Sequence, residues 1–209
     1  MSKLPDPTTA WHSPDDAGKA LVILLHGRGS RETDIITLAA HLPIGPSYAA
    51  VRAPLAEGPG FAWFANRGIG RPVAESLAET MAWFKEWLET IAPAPRPVIL
   101  VGFSGGAAFA GGLVLDDPKR FAGAAILRGT LPFDAGVPTT PGRLQDVPMF
   151  VAHGDADSVI PAELLEHTWG YLADESGAKT VGVRSPGGHN IGLDDVKALA
   201  NWIEEVQEP

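Results

Sequence analysis

Apolar and polar positions along the chain alternate between two periods. Ala20 to Leu25 is an unbroken apolar run stopped by His26-Gly27, as expected of a strand buried on both faces. Asp34 to Leu42 reads as a helix with Asp34 or Thr33 at its N-cap, and Tyr48 to Ala53 as a second strand ended by Pro54. From Val73 to Ile91 the apolar residues Val73, Leu77, Met81, Phe84, Leu88 and Ile91 recur every three or four positions. That is one face of an amphipathic helix, begun by Pro72 and closed by the Pro-rich stretch Pro93 to Pro97. Val98 to Val101 is the next strand, and the small apolar residues Ala107 to Leu115 predict a helix packed closely on a sheet. Strands follow at Gly123 to Leu127, Met149 to Ala152 and Thr180 to Val183, with a long loop from Leu131 to Pro148. Helices over Ala162 to Glu175 and Leu193 to Val206 complete the pattern. Strands alternating with helices of ten or more residues predict an α/β fold with a mostly parallel sheet covered on both faces. No repeat or linker divides it, so one domain over 1–209 is expected, preceded by an irregular, Pro- and Asp-punctuated segment at 1–18. In such a sheet, functional residues belong at the carboxyl ends of the strands.

Composition narrows the function classes. The net charge is −9 with no basic cluster, which argues against nucleic acid and anionic membrane surfaces. There is no cysteine, so disulfides, Cys–metal sites and thiol catalysis are excluded. No run approaches the ~18–20 apolar residues needed to span a bilayer. The N-terminal stretch carries no apolar secretory core, and a cytoplasmic location is the expectation.

Four strand ends carry distinctive chemistry. Gly102-Phe103-Ser104-Gly105-Gly106, directly after Val101, is a G-x-S-x-G turn, the signature of a serine nucleophile elbow. His26-Gly27-Arg28-Gly29 ends the first strand, where a backbone N–H can face the space above the serine. The Gly105 N–H would be the second donor of an oxyanion hole. His26 precedes the serine in the chain and is read as a scaffold residue. His153-Gly154-Asp155-Ala156-Asp157 and Gly187-Gly188-His189-Asn190 end two later strands. The order Ser104, Asp157, His189 is that of α/β-hydrolase triads. Imidazole titrates near neutrality and can carry the serine proton to a leaving group, while the aspartate sets its tautomer. A metal cluster of His153, Asp155 and Asp157, or of the two aspartates with His189, is the competing arrangement. A phosphate-cradling reading of Gly102 to Gly112 lacks the Lys-Ser/Thr of the Walker pattern.

The set LLHGRG, GFSGG, HGDADSVIP and GGHNI resembles the small serine carboxylesterases of the phospholipase/carboxylesterase family, which includes acyl-protein thioesterases. The resemblance runs from about Leu21 to the C-terminus and implies an α/β-hydrolase fold; no insertion in the chain is long enough for a large helical lid. It implies Ser104, Asp157 and His189 as the triad, with backbone oxyanion donors at Arg28 and Gly105 and a structural role for Asp155. The family usually has glutamine after the nucleophile. Gly105 keeps the backbone donor and removes any side-chain contact. Pro54 to Gly70 and Ile126 to Pro132 are similar to short bacterial members, some associated with aromatic esters or hydroquinone-related compounds.

The expected function is hydrolysis of small carboxylic esters, short acyl or aryl, without metal or other cofactor. Thioester or lysophospholipid hydrolysis by the same residues is the alternative, and a ligand-binding receptor with an idle triad is the alternative of another class. Trp63 and Phe64, on the Gly-rich stretch Gly58 to Gly70, and Leu131 are the expected pocket walls, with Pro132 and Phe133 beside Leu131. Arg28, Arg67 and Arg128 are read as surface arginines. The sequence leaves the acyl length, the alcohol and the oligomeric state open.

Overall fold

A computed structural model describes residues 4–207; residues 1–3 of the expected irregular segment, and residues 208–209, lie outside the described residues. A seven-stranded sheet forms the centre, in the order β1 (Thr9–Trp11), β3 (Ser47–Val51), β2 (Leu21–Leu25), β6 (Val98–Phe103), β7 (Gly123–Leu127), β8 (Pro148–Gly154) and β9 (Lys179–Ser185). All neighbours run parallel except β1 against β3. The chain winds outward from β2 to β3, then returns to β6 and winds the other way to β9. The switch point of this doubly wound sheet therefore lies between β2 and β6, where a crevice opens at the strand ends.

Central strands are apolar throughout because both their faces are covered: all five residues of β2 are fully buried. On one face, α2 (Ala74–Ile91) and α3 (Gly105–Asp116) bring Leu77, Phe84, Phe109 and Leu113 onto Ile23 and Leu100. On the other, the segment after β2 and α5 (Leu193–Gln207) bring Leu38, Trp202 and Ile203 onto Val22 and Phe150. The predicted face of α2 is the buried one, with Leu77, Met81, Phe84 and Leu88 inside. None of the described helices is long and apolar enough to cross a membrane.

Several expectations need correction. The segment 1–18 is not irregular throughout, because Thr9–Trp11 pairs with Val51–Ala49 at the sheet edge. Beyond it, the buried Arg96 grips the Asp15 carboxylate and the carbonyls of Asp16 and Lys19. The helix placed at 34–42 begins at α1 (Glu32–Ile35) and tightens into a 3-10 turn over Ile36–His41. Arg31 is its N-cap, and Asp34 sits inside the first turn, accepting hydrogen bonds from Arg31 N–H at 3.2 Å and Ser30 Oγ–H at 2.7 Å. The helix placed at 162–175 is α-helical only over α4 (Ala162–Gly170) and widens into a π turn over Tyr171–Glu175. An unforeseen hairpin, β4 (Leu55–Glu57) with β5 (Gly60–Ala62), folds over the loop after β2. Gly29 N–H donates to Phe61 O at 2.8 Å, and Phe61 N–H to Ser30 O at 3.0 Å.

Candidate active site

Ser104 stands at the end of β6 with φ 54° and ψ −116°, a backbone conformation that side chains other than glycine rarely adopt. Its neighbours explain why the turn closes there. A Cβ on Gly106 would collide with the Leu25 carbonyl, and one on Gly102 with the Gly106 carbonyl. The Ser104 N–H donates to Leu127 O at 2.9 Å, tying the elbow to β7. Strain of this kind persists where surrounding contacts over-determine it, as they do here.

Ser104, Asp157 and His189 come from the ends of three separate strands and meet. Ser104 Oγ lies 2.9 Å from His189 Nε2, and His189 Nδ1 lies 2.8 Å from Asp157 Oδ2. The other oxygen of Asp157 accepts the backbone N–H groups of Val159 at 2.9 Å and Ile160 at 3.0 Å. Burial pushes the Asp157 carboxyl up. The His189 contact and the two N–H donors outweigh that push and hold it below the usual carboxylate range. An ionised Asp157 accepts only, so Nδ1 carries the proton and Nε2 presents a lone pair to the serine hydroxyl.

The two expected oxyanion donors lie on neighbouring backbone. Gly105 opens α3, where an N–H has no partner within the helix. An added Cβ on Gly105 would lie 3.4 Å from Arg28 N. The next two amides of the Arg28 loop are occupied, Gly29 N–H by Phe61 O and Ser30 N–H by Gly27 O. Neither Arg28 N–H nor Gly105 N–H donates in the hydrogen bonds of the described residues. The Arg28 side chain pairs with Glu57, both a little over a third exposed.

His26 is fully buried: its Nδ1–H donates to Gly27 O at 2.7 Å and its Nε2 accepts from Ala53 N–H at 3.1 Å. Burial holds its ring below the ordinary imidazole range. It braces the Arg28 loop. His153 does not join Asp155 and Asp157: its ring is buried beside Trp169, with both nitrogens unpartnered. No group of three or more His, Asp or Glu side chains converges among the described residues.

His153 has a measurable consequence. Burial, reinforced by nearby Arg184, pushes its pKa down to about 4. The unfolded chain binds a proton near pH 6.5 that the folded one refuses. Stability contributed by neutral His153 is therefore full above pH 6.5 and lost as pH falls toward 4, by about 3 kcal/mol. In urea melts at stepped pH, His153→Leu should lose less stability than wild type across that window. Parallel loss in both proteins would show that His153 does not carry this dependence.

A cavity of about 400 Å³ opens beside Ser104 and His189. The expected walls Trp63, Phe64 and Leu131 line it, and so does Pro132. Phe133 does not; it stacks on His167 at 3.7 Å between ring centroids. Residues the sequence did not single out complete the lining, chiefly Ile69, Ala108, Thr130, Val159 and Ile160. They lie on four segments with no shared local pattern, so only the fold brings them together. Trp63 has a second task, donating from Nε1 to His26 O at 2.8 Å and stacking on Phe109 at 4.5 Å. Of the three arginines, Arg67 is exposed as expected. Arg128 is not a surface residue: it is 1% exposed and paired with Asp195.

Comparison with known proteins places the chain in a family. The chain is 28% identical over 136 residues to acyl-protein thioesterase 1 of Yarrowia lipolytica, a match covering 64% of this chain and 60% of that protein. Its structure is similar to a carboxylesterase of Mesorhizobium loti, with TM-score 0.78 and 27% identity over 90% of this chain and 91% of the other. It shares its fold with a Bacillus cereus carboxylesterase at TM-score 0.82 and 21% identity, over 96% and 94% of the two chains. These are α/β-hydrolase folds. The model of the phospholipase/carboxylesterase family matches residues 8–207, and the chain belongs to that family of hydrolases acting on ester bonds.

Proposed function

We propose that the protein is a serine carboxylesterase that cleaves small carboxylic esters, short acyl or aryl, through an acyl-enzyme at Ser104. The observation that carries this is the run of contacts Ser104 Oγ–His189 Nε2–His189 Nδ1–Asp157, at 2.9 and 2.8 Å, at the mouth of an apolar cavity. In this reading Ser104 Oγ attacks the carbonyl carbon while His189 Nε2 takes its proton. The tetrahedral oxyanion is held by the N–H groups of Arg28 and Gly105. His189 then gives the proton to the leaving alcohol, and a water activated by His189 releases the acid. Asp157 keeps the imidazole in its working tautomer and stabilises the imidazolium. All groups come from this chain, so the reaction is expected to proceed unchanged in EDTA.

A fluorophosphonate probe and a panel of p-nitrophenyl esters test the proposal together. Wild type should be labelled at Ser104 and should turn over the esters. Binding of esters without labelling or turnover would instead mark a receptor with an idle triad. Thioesters meet the same residues, and a relative carries the name acyl-protein thioesterase. Paired oxygen and sulfur esters of one acyl group measure which leaving group is favoured.

The cavity makes a separate prediction. Phe64→Ala removes apolar wall and should lower kcat/KM by about 1–3 kcal/mol in transition-state stabilisation, growing with acyl or aryl size and sparing acetyl esters. Trp63→Ala also removes the bond to His26 O and the stack on Phe109, so it should in addition lower Tm and add a loss shared by all substrates. Identical profiles for the two variants would refute this division of labour.

A further inference from the structure

Arg128 does not line the cavity beside Ser104, yet its side chain is 1% exposed and its backbone φ is 49°. An L-residue is held in the left-handed region only where surrounding contacts compel it. The guanidinium has three partners. Nε donates to Asn190 O at 3.0 Å, and Nη2 donates to Ser185 Oγ at 2.7 Å and to Asp195 Oδ2 at 2.5 Å. That same Asp195 oxygen accepts Gly192 N–H at 2.8 Å. Ser185, Asn190 and Gly192 bracket the segment that presents His189, and its Gly187-Gly188 pair supplies little stiffness of its own. On the backbone side, Arg128 N–H donates to Ala152 O, and the preceding Leu127 O accepts Ser104 N–H, both at 2.9 Å. The following Gly129 packs so closely on the elbow that an added Cβ would lie 2.7 Å from Ser104 O. Arg128 thus stands between Leu127 and Gly129, which hold the serine turn, and reaches the histidine loop through its side chain.

We infer that Arg128, with Asp195, is a positioning pair that sets His189 against Ser104. The inference rests on the serine-hydrolase reading above. Stability alone explains the pair poorly, because the desolvation of two buried charges offsets most of their attraction. A guanidinium suits the task because its planar fork reaches three acceptors at fixed angles, which one ammonium cannot do. Neither residue touches the reacting atoms. The loss on removing them should therefore appear in kcat, through misplacement of Nε2, and not in the binding of ester.

The double variant Arg128→Met with Asp195→Asn removes the anchors at Ser185 and Asn190. It leaves no unpaired buried charge, and Asn keeps an acceptor for Gly192 N–H. Melting temperature, kcat and KM for p-nitrophenyl esters, and the rate of fluorophosphonate labelling are measured well below the melting range. The expected result is a folded protein with wild-type KM, and with kcat and labelling rate each lowered about 10²-fold. Arg128→Lys, which keeps a cation opposite Asp195 but not the fork, should fall between. A folded double variant with wild-type kcat overturns the inference, as does a loss confined to KM. If the double variant does not fold, Arg128→Lys decides by the same split between kcat and KM. Wild type that neither labels nor turns over breaks the serine-hydrolase reading itself. Active wild type with unaffected variants breaks only the positioning role.

Discussion

Ser104→Ala and His189→Ala should each lower kcat for ester hydrolysis by about 10⁴-fold or more, and the double variant should be scarcely worse than either. The reason is geometric. Ser104 Oγ and His189 Nε2 lie 2.9 Å apart, so removing either side chain removes the same proton transfer. A serine without its base is a weak nucleophile at neutral pH, and a base without the serine has nothing to activate. The residual rate would come from the Arg28 and Gly105 N–H groups and from binding in the cavity, which both variants keep. Ala tolerates the backbone at position 104 no better than Ser, so the strain stays and Tm should stay near that of wild type. Losses that multiply in the double variant would mean that Ser104 and His189 act independently, and the acyl-enzyme proposal would fall.

Much of this site is legible in the sequence because the fold puts chemistry at strand ends and buries the strands on both faces. The apolar runs Leu21–Leu25, Val98–Val101 and Gly123–Leu127 are strands in the structure, and Ser104, Asp157 and His189, which meet above the sheet, follow β6, β8 and β9. What escaped notice shares a physical cause. Strand β1 has three residues and exists only because the edge of β3 is open to it. The β4–β5 hairpin is as short, and the loop carrying Arg28 holds it in place. Helix α1 lasts one turn, Glu32–Ile35, before Ile36–His41 tighten into a 3-10 turn. Arg128 reads as surface because arginine usually is, and its partner Asp195 lies 67 residues further along the chain. Its one local sign is position: it directly follows the buried run Gly123–Leu127, as the proposed site residues follow strand ends elsewhere in the chain. Of the other cavity walls, Ile69 and Thr130 lie near the expected ones in the chain, whereas Ala108, Val159 and Ile160 come from distant segments with no periodicity to betray them.

Asp157→Asn should lower kcat by about 10³- to 10⁴-fold while leaving the fold intact, because the change keeps the size of the side chain and inverts one hydrogen bond. One Asp157 oxygen already accepts two backbone N–H groups, from Val159 and Ile160 at 2.9 and 3.0 Å. An asparagine must give its single oxygen to that pair, since its NH₂ cannot face two donors. The NH₂ is then left against His189 Nδ1, 2.8 Å away in the wild type. Nδ1 must accept, the ring proton moves to Nε2, and Nε2 can no longer take the proton of Ser104. The variant is thus held in the wrong tautomer by the same two amides that help keep Asp157 ionised. Asp155 supplies the comparison. Its side chain is exposed, and only its backbone N–H is tied down, to Ser185 O at 2.8 Å. Asp155→Asn should leave kcat close to wild type. Steady-state rates and melts on the two isosteric variants settle the assignment, and near-normal turnover in Asp157→Asn beside a dead Asp155→Asn would transfer the role to Asp155.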